Sequence, residues 1–161
     1  MLYFFLHIPK CGGSTIKQYY LSSFQKCIKV WDPRFGADCS SIQFENFEIS
    51  DSECIIGHLH FLDAMKNNTF KKNLMLKNIQ INTIVRDPIE RMVSLYNYMN
   101  KFEKHPFHNE IKKISFEDFL LERDRNFQCK MLGIDYWGSL NEIVKNVDVI
   151  DIERSNEYFF N

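Results

Sequence analysis

Residues 2–8 form a short, almost unbroken apolar run, Leu2, Tyr3, Phe4, Phe5, Leu6, His7 and Ile8, the pattern of a strand buried on both faces in a parallel sheet. The run stops at Pro9, Lys10, Cys11, Gly12 and Gly13. From Ser14 onward Ile16, Tyr19, Tyr20 and Phe24 recur at helical spacing, with Ser14 or Thr15 available to cap the first turn. The unit reads as strand, glycine loop, helix. Cys27–Trp31 predicts a second strand, residues 32–52 an irregular excursion rich in Asp, Ser and Phe, and residues 53–57 another buried strand.

Ile79–Val85 is the clearest later strand, and Arg86, Asp87, Pro88, Ile89, Glu90 and Arg91 follow it at once. Asp87 as N-cap, Pro88 at the first helical position and Glu90 three residues after the cap form a capping box, in which Glu90 turns back to the cap, and predict a helix start. Ile89, Met92, Val93, Tyr96 and Met99 then supply an apolar stripe, which puts Arg91, Ser94 and Asn97 on other faces. Ser115 with Asp118 marks another helix start and Gly133 a stop; residues 139–147 read as one more helix and residues 148–152 as a last strand. Strands alternating with helices predict an α/β fold with a central, mostly parallel sheet flanked by helices, formed by residues 1–161 as a single domain.

Lys and Arg number 20 against 21 Asp and Glu, a net charge of −1 over 161 residues. A protein that lives on phosphate backbone carries a clear basic surplus, so nucleic acid is not the expected partner and any anion site must be built locally. The 45% hydrophobic and 25% charged residues exclude disorder and collagen-like repeats. Fifteen Phe residues predict a Phe-packed core or an aromatic-lined cleft. Cys11, Cys27, Cys39, Cys54 and Cys129 are odd in number and contain no C-x-x-C pair, which suggests neither a disulfide framework nor a zinc knuckle, and points to a reducing compartment. The first residues lack a basic stretch and no apolar run is long enough for a membrane span, so a cytoplasmic location is the expectation.

The loop from Pro9 to Thr15 suits an anion: two glycines permit close backbone approach, free N–H groups point from the helix start, and Lys10, Ser14 and Thr15 complete a cradle for phosphate. It is not a Walker A loop, because Lys10 precedes the glycines instead of following them. Read alone, the loop is equally a capped turn. Arg86 at a strand's carboxyl end and Ser94 two turns into the next helix make a second anion site at the same sheet edge, where open α/β sheets bind ligands, although taken alone Arg86 reads better as the partner of a carboxylate and Ser94 as a solvated helix residue. His58 by itself reads as a hydrogen-bonded histidine closing a strand, and the pairs His58 and His60, His105 and His108 lack recognised zinc spacing, so no metal site is expected.

Together these segments resemble a known family. His7 to Thr15 (H-I-P-K-C-G-G-S-T) resembles the 5′-phosphosulfate loop of glycan-type sulfotransferases, and Ile84 to Tyr96 resembles their 3′-phosphate site. The stretch from Gly57 to Asp63 is similar to the segment that supplies a histidine base in heparan-sulfate 2-O-sulfotransferase and its relatives, and Asn126 to Gly133 to their N-x-Q-x-x-x-L-x-G segment. The resemblance implies a P-loop-like sulfotransferase fold that moves a sulfuryl group from 3′-phosphoadenosine-5′-phosphosulfate (PAPS) to a hydroxyl, most plausibly on a carbohydrate, leaving 3′-phosphoadenosine-5′-phosphate (PAP). It implies Lys10 and His58 as catalytic residues, with Lys10, Cys11, Gly12, Gly13, Ser14, Thr15, Arg86 and Ser94 holding the nucleotide. No metal is expected, because a Lys and a helix terminus already hold the leaving phosphate. Cys11 departs from the family's usual Thr and sets a thiol beside a helix N-terminus, a setting that can lower thiol pKa, and it is read as structural. The chain also ends earlier than the family pattern, which suggests a short C-terminus and leaves two alternatives standing: a noncatalytic nucleotide-binding or interaction module, and a P-loop-type kinase, which the Lys-before-Gly order disfavours.

Overall fold

The computed structural model describes residues 1–31, 44–123, 126–134 and 147–152, without the side chains of residues 31 and 147. Five strands, β1 (Leu2–Leu6), β2 (Cys27–Trp31), β3 (Cys54–His58), β4 (Ile79–Val85) and β5 (Val147–Asp151), pair in the order β2-β3-β1-β4-β5. Every pairing is parallel. Helices α1 (Gly13–Ser23), α2 (Phe61–Ala64), α3 (Asn68–Met75), α4 (Pro88–Lys101), α5 (His108–Ile111), α6 (Phe116–Glu122) and α7 (Phe127–Met131) connect them. No described helix is long and apolar enough to cross a membrane.

The central position of β1 follows from its composition: Phe4, Phe5 and Leu6 are fully buried, as a strand covered on both faces requires. Phe4 packs edge-on against Phe70 of α3 on one side, while Phe5 stacks on Tyr20 of α1 on the other. Two polar side chains of β4 inside this core are hydrogen-bonded. Asn82 meets the Tyr20 hydroxyl at 2.7 Å, and the Thr83 hydroxyl donates to the Leu6 carbonyl at 2.9 Å, tying β4 to the end of β1. Among the described residues, Phe4, Phe5, Phe44, Phe61, Phe70 and Phe119 are buried in the core, whereas Phe102 and Phe107 remain exposed.

The strand expectations hold to within a residue or two. Three helical expectations need correction. The α1 start is capped by neither Ser14 nor Thr15: its N-cap is Gly12, in a left-handed conformation, and both hydroxyls are exposed in the first turn. On α4, Asp87 caps the Glu90 N–H at 2.9 Å as predicted, but the Glu90 carboxylate turns to Arg86 instead of back to the cap. The buried face of α4 carries Arg91, Met92 and Met99, whereas Ile89 and Val93 are exposed. Met92 and Met99 form a second small core with Ile111 of α5 and Phe119 of α6, which sets α6 against α4. Ser115 caps α6 as predicted. Gly133 follows α7 at φ +75°, a conformation that favours glycine. The predicted helix over 139–147 and Cys39 lie outside the described residues, apart from Val147, which opens β5.

Candidate functional site

The carboxyl edge of a parallel sheet collects loops from several strands, and here three of them converge. A cavity of about 840 Å³ is bounded by the β1–α1 loop, the end of β3 and the face of α4. Lys10, Gly12, Gly13, Ser14, Thr15, His58, Arg86 and Ser94 all line it. Residues as far as 84 positions apart in sequence thus share one space.

The loop geometry explains the glycines. Gly12 adopts φ +76°, and a Cβ there would come within 3.0 Å of the Ile152 side chain. A Cβ on Gly13 would meet the His7 ring at 2.0 Å, so the imidazole lies directly on the loop backbone. Lys10 also takes a positive φ, 69°, at a cost of about 1–2 kcal/mol for an L-residue. Such stored strain marks a loop whose shape is fixed by its surroundings. The Lys10 ammonium sits 4.3 Å above the Tyr98 ring centre, and burial together with the Arg86 charge holds its pKa below the ordinary lysine value.

Cys11 is the exception among the expected loop residues. It is buried, does not line the cavity, and gives its thiol hydrogen to Gln128 Oε1 at 3.3 Å. The helix start does not make the thiol acidic: burial pushes the Cys11 pKa up to about 11, outweighing the opposing charges of Arg91 and Arg86, in keeping with a structural cysteine.

Among the described residues, Lys10, Arg86, Arg91 and Arg123 line the cavity with positive charge, against one lining carboxylate, Glu122. A chain with net charge −1 thus has a local surplus of positive charge in this cavity, which is how a local anion site is built. Arg86 Nε pairs with Glu90 at 3.1 Å, so the carboxylate-partner reading of Arg86 is realised while its residue still borders the cavity. Arg91 is buried against the Phe127 ring, its Nη1 donating to the Pro9 carbonyl at 3.4 Å.

The two histidines of the H-x-H pair separate cleanly. His58 ends β3 and lines the cavity, its ring 4.4 Å from that of His7. His60 lies outside the lining, with Nδ1 3.1 Å from the Lys130 carbonyl and its ring against Phe127. His7 was not singled out in the sequence beyond its place in the loop motif; it is buried, and burial followed by the charges of Lys17 and Lys10 brings its pKa down to about 4. Gln128 also had no assigned role, yet its position in N-x-Q was the available signal. Among the described residues no group of His, Cys, Asp and Glu is placed to hold a metal ion.

A family model described as the sulfotransferase family matches residues 3–144. Among solved structures, the chain is similar to mouse sulfotransferase SULT7A1 complexed with PAP, at 20% identity and a TM-score of 0.53, over 98% of this chain and 54% of that one. It is also similar to a sulfotransferase from Alicyclobacillus acidocaldarius, at 14% identity and a TM-score of 0.51, over 96% of this chain and 74% of that one. The chain spans about half the length of the mouse protein. No curated protein sequence matches it. At these identities the structural likeness concerns the fold.

Proposed function

Because the chain belongs to the sulfotransferase family, we propose that it transfers a sulfuryl group from PAPS to a hydroxyl acceptor, and that the acceptor is a carbohydrate, as its resemblance to the heparan-sulfate 2-O type suggests. The observation that carries this reading is the cavity shared by Lys10, Gly12, Gly13, Ser14, Thr15, His58, Arg86 and Ser94.

In this reading the α1 start receives the 5′-phosphosulfate. Gly12 leaves the first-turn N–H groups without a side-chain cap, and Lys10, Ser14 and Thr15 stand beside them. His58 takes the proton of the acceptor hydroxyl as its oxygen bonds to sulfur. The sulfur–oxygen bond to the phosphate breaks in the same in-line step, and Lys10 with the loop N–H groups neutralises the charge that grows on the departing phosphate oxygen. Arg86 and Ser94 take the 3′-phosphate, Arg86 exchanging its exposed Glu90 partner for the ligand; an exposed ion pair of that kind is worth only about 0–1 kcal/mol, less than a charge-assisted phosphate contact.

The test is calorimetric titration with PAP, AMP and ATP, followed by a transfer assay with PAPS on sulfate-poor glycans. PAP should bind more tightly than AMP, and Arg86→Ala should largely erase the difference, since a charge-assisted arginine contact is worth roughly 1.5–3 kcal/mol. Equal affinity for PAP and AMP in the unmutated chain would defeat the reading. PAP binding without transfer to any acceptor would favour a noncatalytic nucleotide-binding module.

A further inference from the structure

Arg123, the C-cap residue of α6, lines the same cavity as His58, Arg86 and Ser94. Its guanidinium sits on two aromatic rings, 5.1 Å from the Phe119 centre and 5.4 Å from that of Phe107. Its Nε is sealed from solvent and has no acceptor among the described residues, and Arg123 forms no ion pair with any described carboxylate, Glu122 included. The other cavity arginines differ: Arg86 holds Glu90, and Arg91 holds the Pro9 carbonyl. The Arg123 charge is felt by His105, whose pKa is lowered first by burial and then by that guanidinium.

Native structures rarely leave a buried donor without an acceptor, and such groups mark sites completed by something else. Stacking on Phe107 and Phe119 fixes the guanidinium plane in advance, so little side-chain freedom is lost when its N–H groups meet a ligand. We propose that Arg123 is an anion-recognition residue of this cavity, taking a tetrahedral oxyanion, phosphate or sulfate, carried by the bound substrate. The inference rests on the sulfuryl-transfer reading only for the carrier of that anion: the donor's 3′-phosphate, or a sulfate already present on an acceptor glycan.

The experiment follows the arginine Nε–Hε resonances by NMR, with the Arg123 signal assigned through Arg123→Lys, while inorganic phosphate, PAP, AMP and a sulfated oligosaccharide are titrated. Phosphate should move the Arg123 signal. With the 3′-phosphate as carrier, Arg123→Gln weakens PAP binding by roughly tenfold or more, the scale of a charge-assisted contact, and leaves AMP binding unchanged. With the acceptor as carrier, both nucleotide affinities stay the same and Arg123→Gln raises KM for the sulfated oligosaccharide but not for its unsulfated counterpart. Arg123→Lys, which keeps the charge and loses the planar fork, should reproduce most of either loss. The proposal is overturned if phosphate, PAP and sulfated oligosaccharide all leave the Arg123 signal in place while the Arg86 signal responds. Failure of the unmutated chain to bind PAP, with Arg123 still responding to phosphate, would sink the sulfuryl-transfer reading and sustain this one.

Discussion

Gln128 grips the backbone of Arg86 with both ends of its amide: Oε1 accepts from the Arg86 N–H at 3.0 Å and Nε2 donates to the Arg86 carbonyl at 2.8 Å. The same Oε1 accepts the Cys11 thiol. One side chain on α7 therefore joins the glycine loop after β1 to the strand end that precedes α4. Each of these hydrogen bonds contributes on the order of 1 kcal/mol, and removing Gln128 strands the Arg86 N–H and carbonyl partly buried. Gln128→Ala should lower the unfolding free energy by about 2 kcal/mol in urea titration and weaken PAP binding as well. A loss of stability with PAP affinity unchanged would limit Gln128 to a structural role.

His7 makes stability depend on pH in a defined window. The unfolded imidazole titrates near 6.5 and the folded one at about 4, so between these values the unfolded chain binds more protons. Stability is full above about pH 6.5 and declines as pH falls toward 4, by up to about 3 kcal/mol. Urea unfolding at pH 7 and pH 4.5 should show this decline, and His7→Gln should remove that part of it. A decline of the same size in the variant would assign the effect to carboxylates.

Cys11 should be inert. With its thiol pKa at about 11, the thiolate fraction at pH 8 is roughly a hundredth of that of a free cysteine, and burial removes access as well. Iodoacetamide at pH 8 should label the exposed Cys129 long before Cys11, as read by peptide mass spectrometry. Equal labelling would show that the loop opens readily.

His58→Ala should leave PAP affinity nearly unchanged and cut sulfuryl transfer by about a hundredfold or more, the scale expected for a lost general base. His60→Ala should be milder, because His60 faces the Lys130 carbonyl outside the cavity. A larger loss from His60→Ala with the fold intact would move the base to that residue.

Much of the architecture was legible from local signals, because each rests on chemistry within a few residues. Apolar runs announced the parallel strands, Asp87 and Pro88 announced α4, and the glycines between His7 and Ser14 announced a loop that needs a positive φ and close packing. Periodicity failed on α4 for a physical reason. Hydrophobicity alone assigns Ile89 to the interior and Arg91 to the surface, whereas Arg91 is buried by partners that come from elsewhere in the chain, the Pro9 carbonyl and the Phe127 ring.

The sequence by itself determined the alternation of strands and helices and the residue types able to hold phosphate, because backbone propensity and side-chain chemistry are local. Only the tertiary structure decided that Lys10, His58, Arg86 and Ser94 share one cavity, that His58 and not His60 faces it, and that Cys11 is a packed thiol. Those outcomes depend on the order β2-β3-β1-β4-β5, which sets the ends of β3 and β4 on either side of β1, and on burial, which shifts pKa values in ways no spacing of residues encodes.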